Sequence, residues 1–219
     1  MVLRLMAVSC IAGFMLVGCG GSSDGSTSTN GGTSGSTCSS ANCTGCCFNG
    51  QCQSGNTAAA CGKNGATCSE CGSAEVCLTA QTCGVDPEST WMVQPTSASI
   101  TSTNNGTAWD ADGSAPDPYV VLNCPPTATP VDSQTPAVQD SVSPTWTTGG
   151  CATKASALLA QPLLFQVFDQ DTISDDTITP TLQYQFTEAN FNAGTVQASC
   201  TPPNCQGGLT TITFTLTKQ

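Results

Sequence analysis

Seven aspartates in two short stretches are the residues of this sequence best placed to do chemistry. The first stretch runs Trp109-Asp110-Ala111-Asp112-Gly113-Ser114-Ala115-Pro116-Asp117-Pro118-Tyr119-Val120-Val121-Leu122, and the second Phe165-Gln166-Val167-Phe168-Asp169-Gln170-Asp171-Thr172-Ile173-Ser174-Asp175-Asp176. Each sets carboxylates in a turn beside an apolar, strand-like run, which is how oxygen ligands are offered to a hard cation such as Ca2+. Residues 84–219 carry twelve acidic side chains, and seven of them, Asp110, Asp112, Asp117, Asp169, Asp171, Asp175 and Asp176, fall in these two stretches. Two carboxylates about 4 Å apart repel by roughly 4 kcal/mol at an effective dielectric near 20, so clustered ones must meet a cation, take up protons or splay apart. Ordinary turn chemistry, in which an aspartate caps its own backbone, accounts for one or two per turn. It does not account for four within residues 169–176. Whether the two turns meet is a matter for the tertiary fold.

Composition narrows the chemistry. The chain has no histidine, so the usual general base, catalytic-triad partner and imidazole metal ligand are missing. A glycosidase-like pair from Asp110 or Asp112 with Asp117 would need an apolar pocket, and these residues sit among Gly, Ser and Pro. Binding rather than catalysis is therefore expected. The formal net charge is −11, and beyond Arg4 the only cationic side chains are Lys63, Lys154 and Lys218. Such a chain offers no basic patch to nucleic acid or to an anionic bilayer, so contact with phosphate would have to run through a bound cation.

The elements that must position the aspartates lie in four parts. Arg4 precedes the apolar run Leu5 to Val17, too short to span a membrane and right for a signal-peptide core. The quartet Leu16-Val17-Gly18-Cys19 resembles the lipobox of bacterial lipoproteins. That resemblance implies removal of residues 1–18 and acylation of Cys19, a lipid anchor to the membrane whose several acyl chains hold stably where one would be marginal. With Gly20 rather than Asp after the anchor, the resemblance to lipoproteins of Gram-negative type also implies the outer membrane of the bacterial cell envelope. Residues 19–37 are otherwise almost wholly Gly, Ser and Thr and read as a tether.

Residues 38–83 hold ten cysteines and few large apolar groups, so this part has to be held by cross-links. Five disulfides would close it, with the neighbours Cys46 and Cys47 bonded to different partners. The pairs Cys43 with Cys46 and Cys68 with Cys71 also have zinc-site spacing, but the six further cysteines and an exported location favour bridges. The segment resembles small knotted cysteine repeats and reads as a protease-resistant spacer.

Residues 84–219 change texture. Leu182, Tyr184 and Phe186 alternate with polar residues, and Ile212, Phe214 and Leu216 with threonines, the period of half-buried strands. Tyr119 to Leu122 and Leu163 to Phe168 are more continuous apolar runs. One short helix is expected over Ala155 to Ala160, stopped by Pro162, and no other amphipathic helix. The expected fold class is all-β, an antiparallel β-sandwich behind a disulfide-rich, loop-dominated module and a disordered linker.

Three pieces of this last part carry a family resemblance. Pro116-Asp117-Pro118-Tyr119-Val120-Val121-Leu122 resembles the first calcium loop and following strand of a C2 domain, a calcium-dependent lipid-binding β-sandwich. Ser143-Pro144-Thr145-Trp146 resembles the family's Asn-Pro-x-Trp turn, and Phe168-Asp169-Gln170-Asp171 with Asp175-Asp176-Thr177-Ile178 its third calcium loop. The pieces occur in family order. The resemblance implies Asp117, Asp169, Asp171, and Asp175 or Asp176 as Ca2+ ligands, with Asp110 or Asp112 completing the first loop. It also implies that Ca2+ mediates contact with phospholipid or an acidic partner surface; the alternative is that calcium only rigidifies the loops of a surface protein. Departures are a slightly longer first loop, Thr179 where the family usually has glycine, and no counterpart of the family's basic strand surface. Cysteines are unusual in the family, and Cys124 with Cys151 and Cys200 with Cys205 is the expected pairing among three.

Overall fold

The computed structural model describes residues 37–125, 133–200 and 207–219. The signal segment, Cys19, all of the tether but residue 37, and Cys205 lie outside the described residues.

The cysteine-rich part is three small hairpins. The first joins β1 (Cys46–Phe48) to β2 (Gln51–Gln53) through Asn49 and Gly50, both at positive φ (50° and 75°) as a two-residue hairpin turn requires. The second pairs β3 (Asn56–Thr57) with β4 (Ala60–Cys61), the third β5 (Glu75–Cys77) with β6 (Cys83–Val85). Bridges join Cys38 to Cys47, Cys43 to Cys52, Cys46 to Cys68, Cys61 to Cys77 and Cys71 to Cys83. All ten cysteines are thus engaged, Cys46 and Cys47 with different partners, and the four-thiolate zinc alternative has no free sulfur.

The strands of the sandwich follow. β7 (Thr90–Ile100), β10 (Cys151–Lys154), β14 (Thr195–Ser199) and β15 (Leu209–Lys218) form one antiparallel sheet in the order β10-β7-β15-β14. The second sheet has β8 (Pro118–Asn123) between β9 (Ser133–Gln134) and β11 (Leu163–Asp169). The far edge of β11 pairs with β12 (Asp176–Thr177) at one end and β13 (Leu182–Tyr184) at the other. Alternation decides which side chains face inward: Ile212, Phe214 and Leu216 of β15 are buried while Thr211, Thr213 and Thr215 look outward. β11 alternates as well, burying Leu163, Phe165 and Val167, although its sequence is almost continuously apolar. Phe165 of one sheet meets Phe214 of the other edge-to-face at 5.2 Å, and burial of a ring of that size stabilises by about 2–3 kcal/mol. The Cys124–Cys151 bridge ties the end of β8 to β10 of the opposite sheet. Cys200 is also disulfide-bonded.

Two expectations change. α1 (Ala155–Ala160) is the anticipated helix, but a second, α2 (Glu188–Ala193), is present. Thr187 and Asn190 cap its start reciprocally and Gly194, at φ 66°, ends it, so six residues suffice once Phe191 is buried against Trp91 at 4.9 Å. The cysteine-rich part is also not a free-standing spacer. Ala74 and Val85 belong to the same buried cluster as Trp91 and Phe191. Asn192 of α2 accepts the Ala74 N–H at 3.1 Å and donates to Glu75 at 2.8 Å. The last hairpin crosses the expected boundary at residue 84, because β6 continues to Val85.

One end of the sandwich gathers the acidic turns. Asp169 at the end of β11 lies opposite Pro118 at the start of β8 and opposite Asp176 of β12. The other sheet reaches the same end through Ile100 and Leu209. Trp109, in the loop that leads into β8, docks on that sheet: its indole N–H donates to the Thr101 carbonyl at 2.9 Å and its ring covers Gly208, where a Cβ would lie 2.4 Å from it.

Candidate metal centre

Asp169 is the centre of the acidic end. Strand alternation in β11 turns its side chain inward, and the residue has no exposed surface. Its Oδ1 accepts the backbone N–H of Asp117 at 2.6 Å, which locks the first loop to the third. Its Oδ2 is buried and has no hydrogen-bond partner in the described structure. A carboxylate oxygen without water or a donor is costly to keep ionised. Burial, followed by the charges of Asp110, Asp171 and Asp117, accordingly pushes the carboxyl up to about 6, while the Asp117 N–H opposes the shift.

Asp110 and Asp117 close on this group from the first loop. Buried Trp109 fixes the position of Asp110, and the Asp110 carbonyl accepts the Gly113 N–H at 3.0 Å to form the turn. The Asp117 carbonyl accepts the Gln170 N–H at 3.0 Å, a second tie to the third loop. A residue not anticipated from sequence joins them. Asp140, in the loop before Ser143-Pro144-Thr145-Trp146, donates its backbone N–H to Asp117 Oδ1 at 2.7 Å, and one carboxylate oxygen each of Asp110, Asp117 and Asp140 lie within 4.8 Å of one another. Its loop is held in place by the Trp146 indole, which donates to the Pro136 carbonyl at 3.0 Å, and by the Ser141 N–H, which donates to the Pro116 carbonyl at 2.8 Å. Asp140 adopts φ 50°, a left-handed conformation that aspartate tolerates better than most residues. The available signal was its place three residues before the Ser-Pro-x-Trp turn, whose first-loop and third-loop neighbours were already acidic.

The other four aspartates divide. Asp171 is raised above the ordinary carboxylate range by desolvation and by the charges of Asp176, Asp110 and Asp175, so it stands among them. Asp176 lies directly across β12 from Asp169, on the same face of the ladder. Asp112 is fully exposed to solvent and turned into its own loop: its Oδ1 accepts both the hydroxyl and the N–H of Ser114, at 2.6 and 3.0 Å, which hold it below the usual range. Asp175 has both oxygens taken, by the Tyr119 hydroxyl at 2.6 Å and the Asp171 N–H at 3.0 Å, and is likewise held low. The same bond and burial push the Tyr119 hydroxyl up to about 12, with burial the larger cause. Of the seven aspartates expected from sequence, Asp110, Asp117, Asp169 and Asp171 therefore converge, with Asp176 beside them. Between Asp110 and Asp112, the structure places Asp110 inward.

Comparison with known proteins bears on this end of the fold. Residues 97–200 match the family model for the C2 domain, a span that contains all three acidic loops. Among solved structures, the chain is similar to C2 domain A of plant Extended Synaptotagmin 1 (12% identity over 61% of this chain and 98% of that one, TM-score 0.43). It is also similar to the calcium-bound pair of C2 domains, A and B, of Extended Synaptotagmin 2 (16% identity, 60% and 46% covered, TM-score 0.40) and to C2 domain A of RIM from Drosophila (14% identity, 46% and 87% covered, TM-score 0.33). A comparison with curated proteins returns no match.

Proposed function

We propose that the acidic end binds Ca2+ and, through it, an anionic phospholipid surface. The observation that carries this reading is the buried, unpartnered Oδ2 of Asp169, set among carboxylates that raise its affinity for a proton. A hard divalent cation removes all of these penalties at once, because it neutralises the cluster and supplies the missing partner. The donor set is entirely oxygen, as Ca2+ prefers, with neither thiolate nor imidazole within the cluster. Asp110, Asp117, Asp140, Asp169 and Asp171 would hold the ion. When bound, the ion supplies positive charge that an otherwise acidic chain lacks, and so a means to attract phosphate.

Ile173 favours a lipid over an acidic protein surface. It lies in the third loop between Asp171 and Asp175 and is 97% exposed, one of only two exposed large apolar residues among those described. An isoleucine beside a cation site gives a bilayer both headgroup charge and apolar contact. We further infer that the chain is an envelope protein anchored by acylated Cys19, a binding protein rather than an enzyme.

Titration of the purified protein with CaCl2 in a calorimeter, followed by co-sedimentation with phosphatidylserine vesicles with and without Ca2+, tests the reading. Calcium uptake together with calcium-dependent sedimentation is expected. Uptake without vesicle association would leave calcium a stabiliser of the loops only, and no uptake up to millimolar calcium would refute the site. Incorporation of labelled fatty acid, lost in Cys19→Ala, tests the anchor.

A further inference from the structure

Two aspartates of the third loop, Asp175 and Asp176, lie outside the proposed ligand set, and Asp175 is bonded elsewhere. Asp175 Oδ2 accepts the Tyr119 hydroxyl at 2.6 Å and Oδ1 accepts the Asp171 N–H at 3.0 Å, so the carboxylate is committed on both sides. Tyr119 is a rigid donor. It belongs to β8, pairs with Phe168 of β11, stacks on that ring at 5.4 Å and is buried. Hydroxyl-to-carboxylate bonds are charge-assisted and belong to the stronger class. This one runs from the sheet to the far side of the loop. The bond from Asp171 then closes the turn 171–175, which carries Ile173 at its exposed middle. A turn closed at both ends determines where Asp171 stands relative to Asp169.

We propose that Tyr119 and Asp175 form a latch that holds no ion and presets the third loop, with Tyr119 a positioning residue for Asp171. The latch rests on the calcium reading above. In metal-free protein, repulsion among the crowded carboxylates, Asp175 included, favours opening of the loop, and the hydrogen bond from the uncharged Tyr119 hydroxyl opposes it. A loop already closed loses less conformational freedom when the ion arrives, so the latch raises affinity without contributing an oxygen.

A double-mutant cycle tests it in the full chain. Calcium affinity is measured calorimetrically for Tyr119→Phe, which keeps the stacked ring, for Asp175→Asn, for the two together, and for Asp169→Asn as the ligand reference. Each latch variant is expected to weaken calcium by about 3- to 10-fold, the worth of one hydrogen bond. The double variant is expected to be no weaker than the worse single one, because both remove the same interaction. In metal-free protein, amide exchange at Asp171 is expected to accelerate in both single variants. If Asp175→Asn is as damaging as Asp169→Asn, or multiplies with Tyr119→Phe, then Asp175 is a ligand and the latch is refuted. Faster exchange with unchanged affinity would reduce the bond to a structural contact and also refute it. No calcium uptake by the wild-type chain would sink the calcium reading itself, whereas wild-type uptake with unaltered affinity in both variants sinks the latch alone.

Discussion

Asp169→Asn is the perturbation that most directly probes the acidic end, because it should act in opposite directions with and without metal. The side chain keeps its shape, and the amide oxygen can still accept the Asp117 N–H now held at 2.6 Å. What disappears is a buried negative charge. Burial and neighbouring carboxylates raise this group from 3.8 to about 6. At 1.36 kcal/mol per unit, that upward shift corresponds to about 3 kcal/mol of penalty at neutral pH, reduced to about 1–2 kcal/mol because the neighbouring carboxylates at the loop rim are screened by water. For a folded body of this size, 1 kcal/mol moves the melting temperature by about 2–4 °C, so metal-free Asp169→Asn should melt about 3–6 °C above the wild type. The wild type should gain about 2.7 kcal/mol from calcium at a hundred times its dissociation constant, and the variant should gain almost nothing. Differential scanning calorimetry at pH 7.5, with EGTA and with excess CaCl2, reads both effects. A metal-free variant that melts below the wild type, or a variant that calcium still stabilises fully, would refute the reasoning: Asp169 would then be an ordinary cap of the Asp117 backbone.

Three further outcomes follow from the same geometry. Because the folded Asp169 carboxyl titrates near 6 and its unfolded value is near 3.8, its contribution favours the fold below about pH 4 and is lost as pH rises to about 6. Metal-free protein should therefore lose stability across that window, and calcium affinity should fall as pH drops through it, both measurable by thermal melts and titrations at stepped pH; a flat metal-free profile between pH 4 and 6 would count against the buried carboxylate. Ile173→Ser should leave calcium affinity within about twofold but weaken vesicle binding by about tenfold or more, the transfer cost of one isoleucine side chain; equal loss of both would place Ile173 in the ion site instead. Replacing Cys124 and Cys151 together by alanine opens a bridge between residues 27 apart and should lower urea-measured stability by about 3–4 kcal/mol without altering calcium binding.

Much of the fold was legible because its signals are local. Threonines alternating with Ile212, Phe214 and Leu216 dictate a half-buried strand whatever surrounds it, and β15 buries those three residues. The even number of cysteines between Cys38 and Cys83, with no core to replace them, required cross-links, and five are formed. α2 was missed because six residues give no usable periodicity; its signal lay in Thr187, Asn190 and Gly194 at its ends, and its stability in Phe191 against Trp91. The docking of the cysteine-rich part was equally hidden, since a single asparagine, Asn192, makes the polar contacts to residues 118 and 117 positions away.

For the acidic end, sequence alone determined that carboxylates crowd two turns beside strands and that neither histidine nor a basic patch competes with a cation reading. Only tertiary structure decided which of them face one another. Antiparallel register sets Asp169 opposite Pro118, and with it Asp117 against a buried carboxylate. The loop ahead of Trp146 brings Asp140 to the same place, Ser114 draws Asp112 to solvent and Tyr119 holds Asp175. The physical reason is the range of the forces involved. Turn and strand preferences act between neighbours in sequence, whereas desolvation and charge repulsion act between neighbours in space, and strand pairing is what makes the second kind out of residues far apart in the chain.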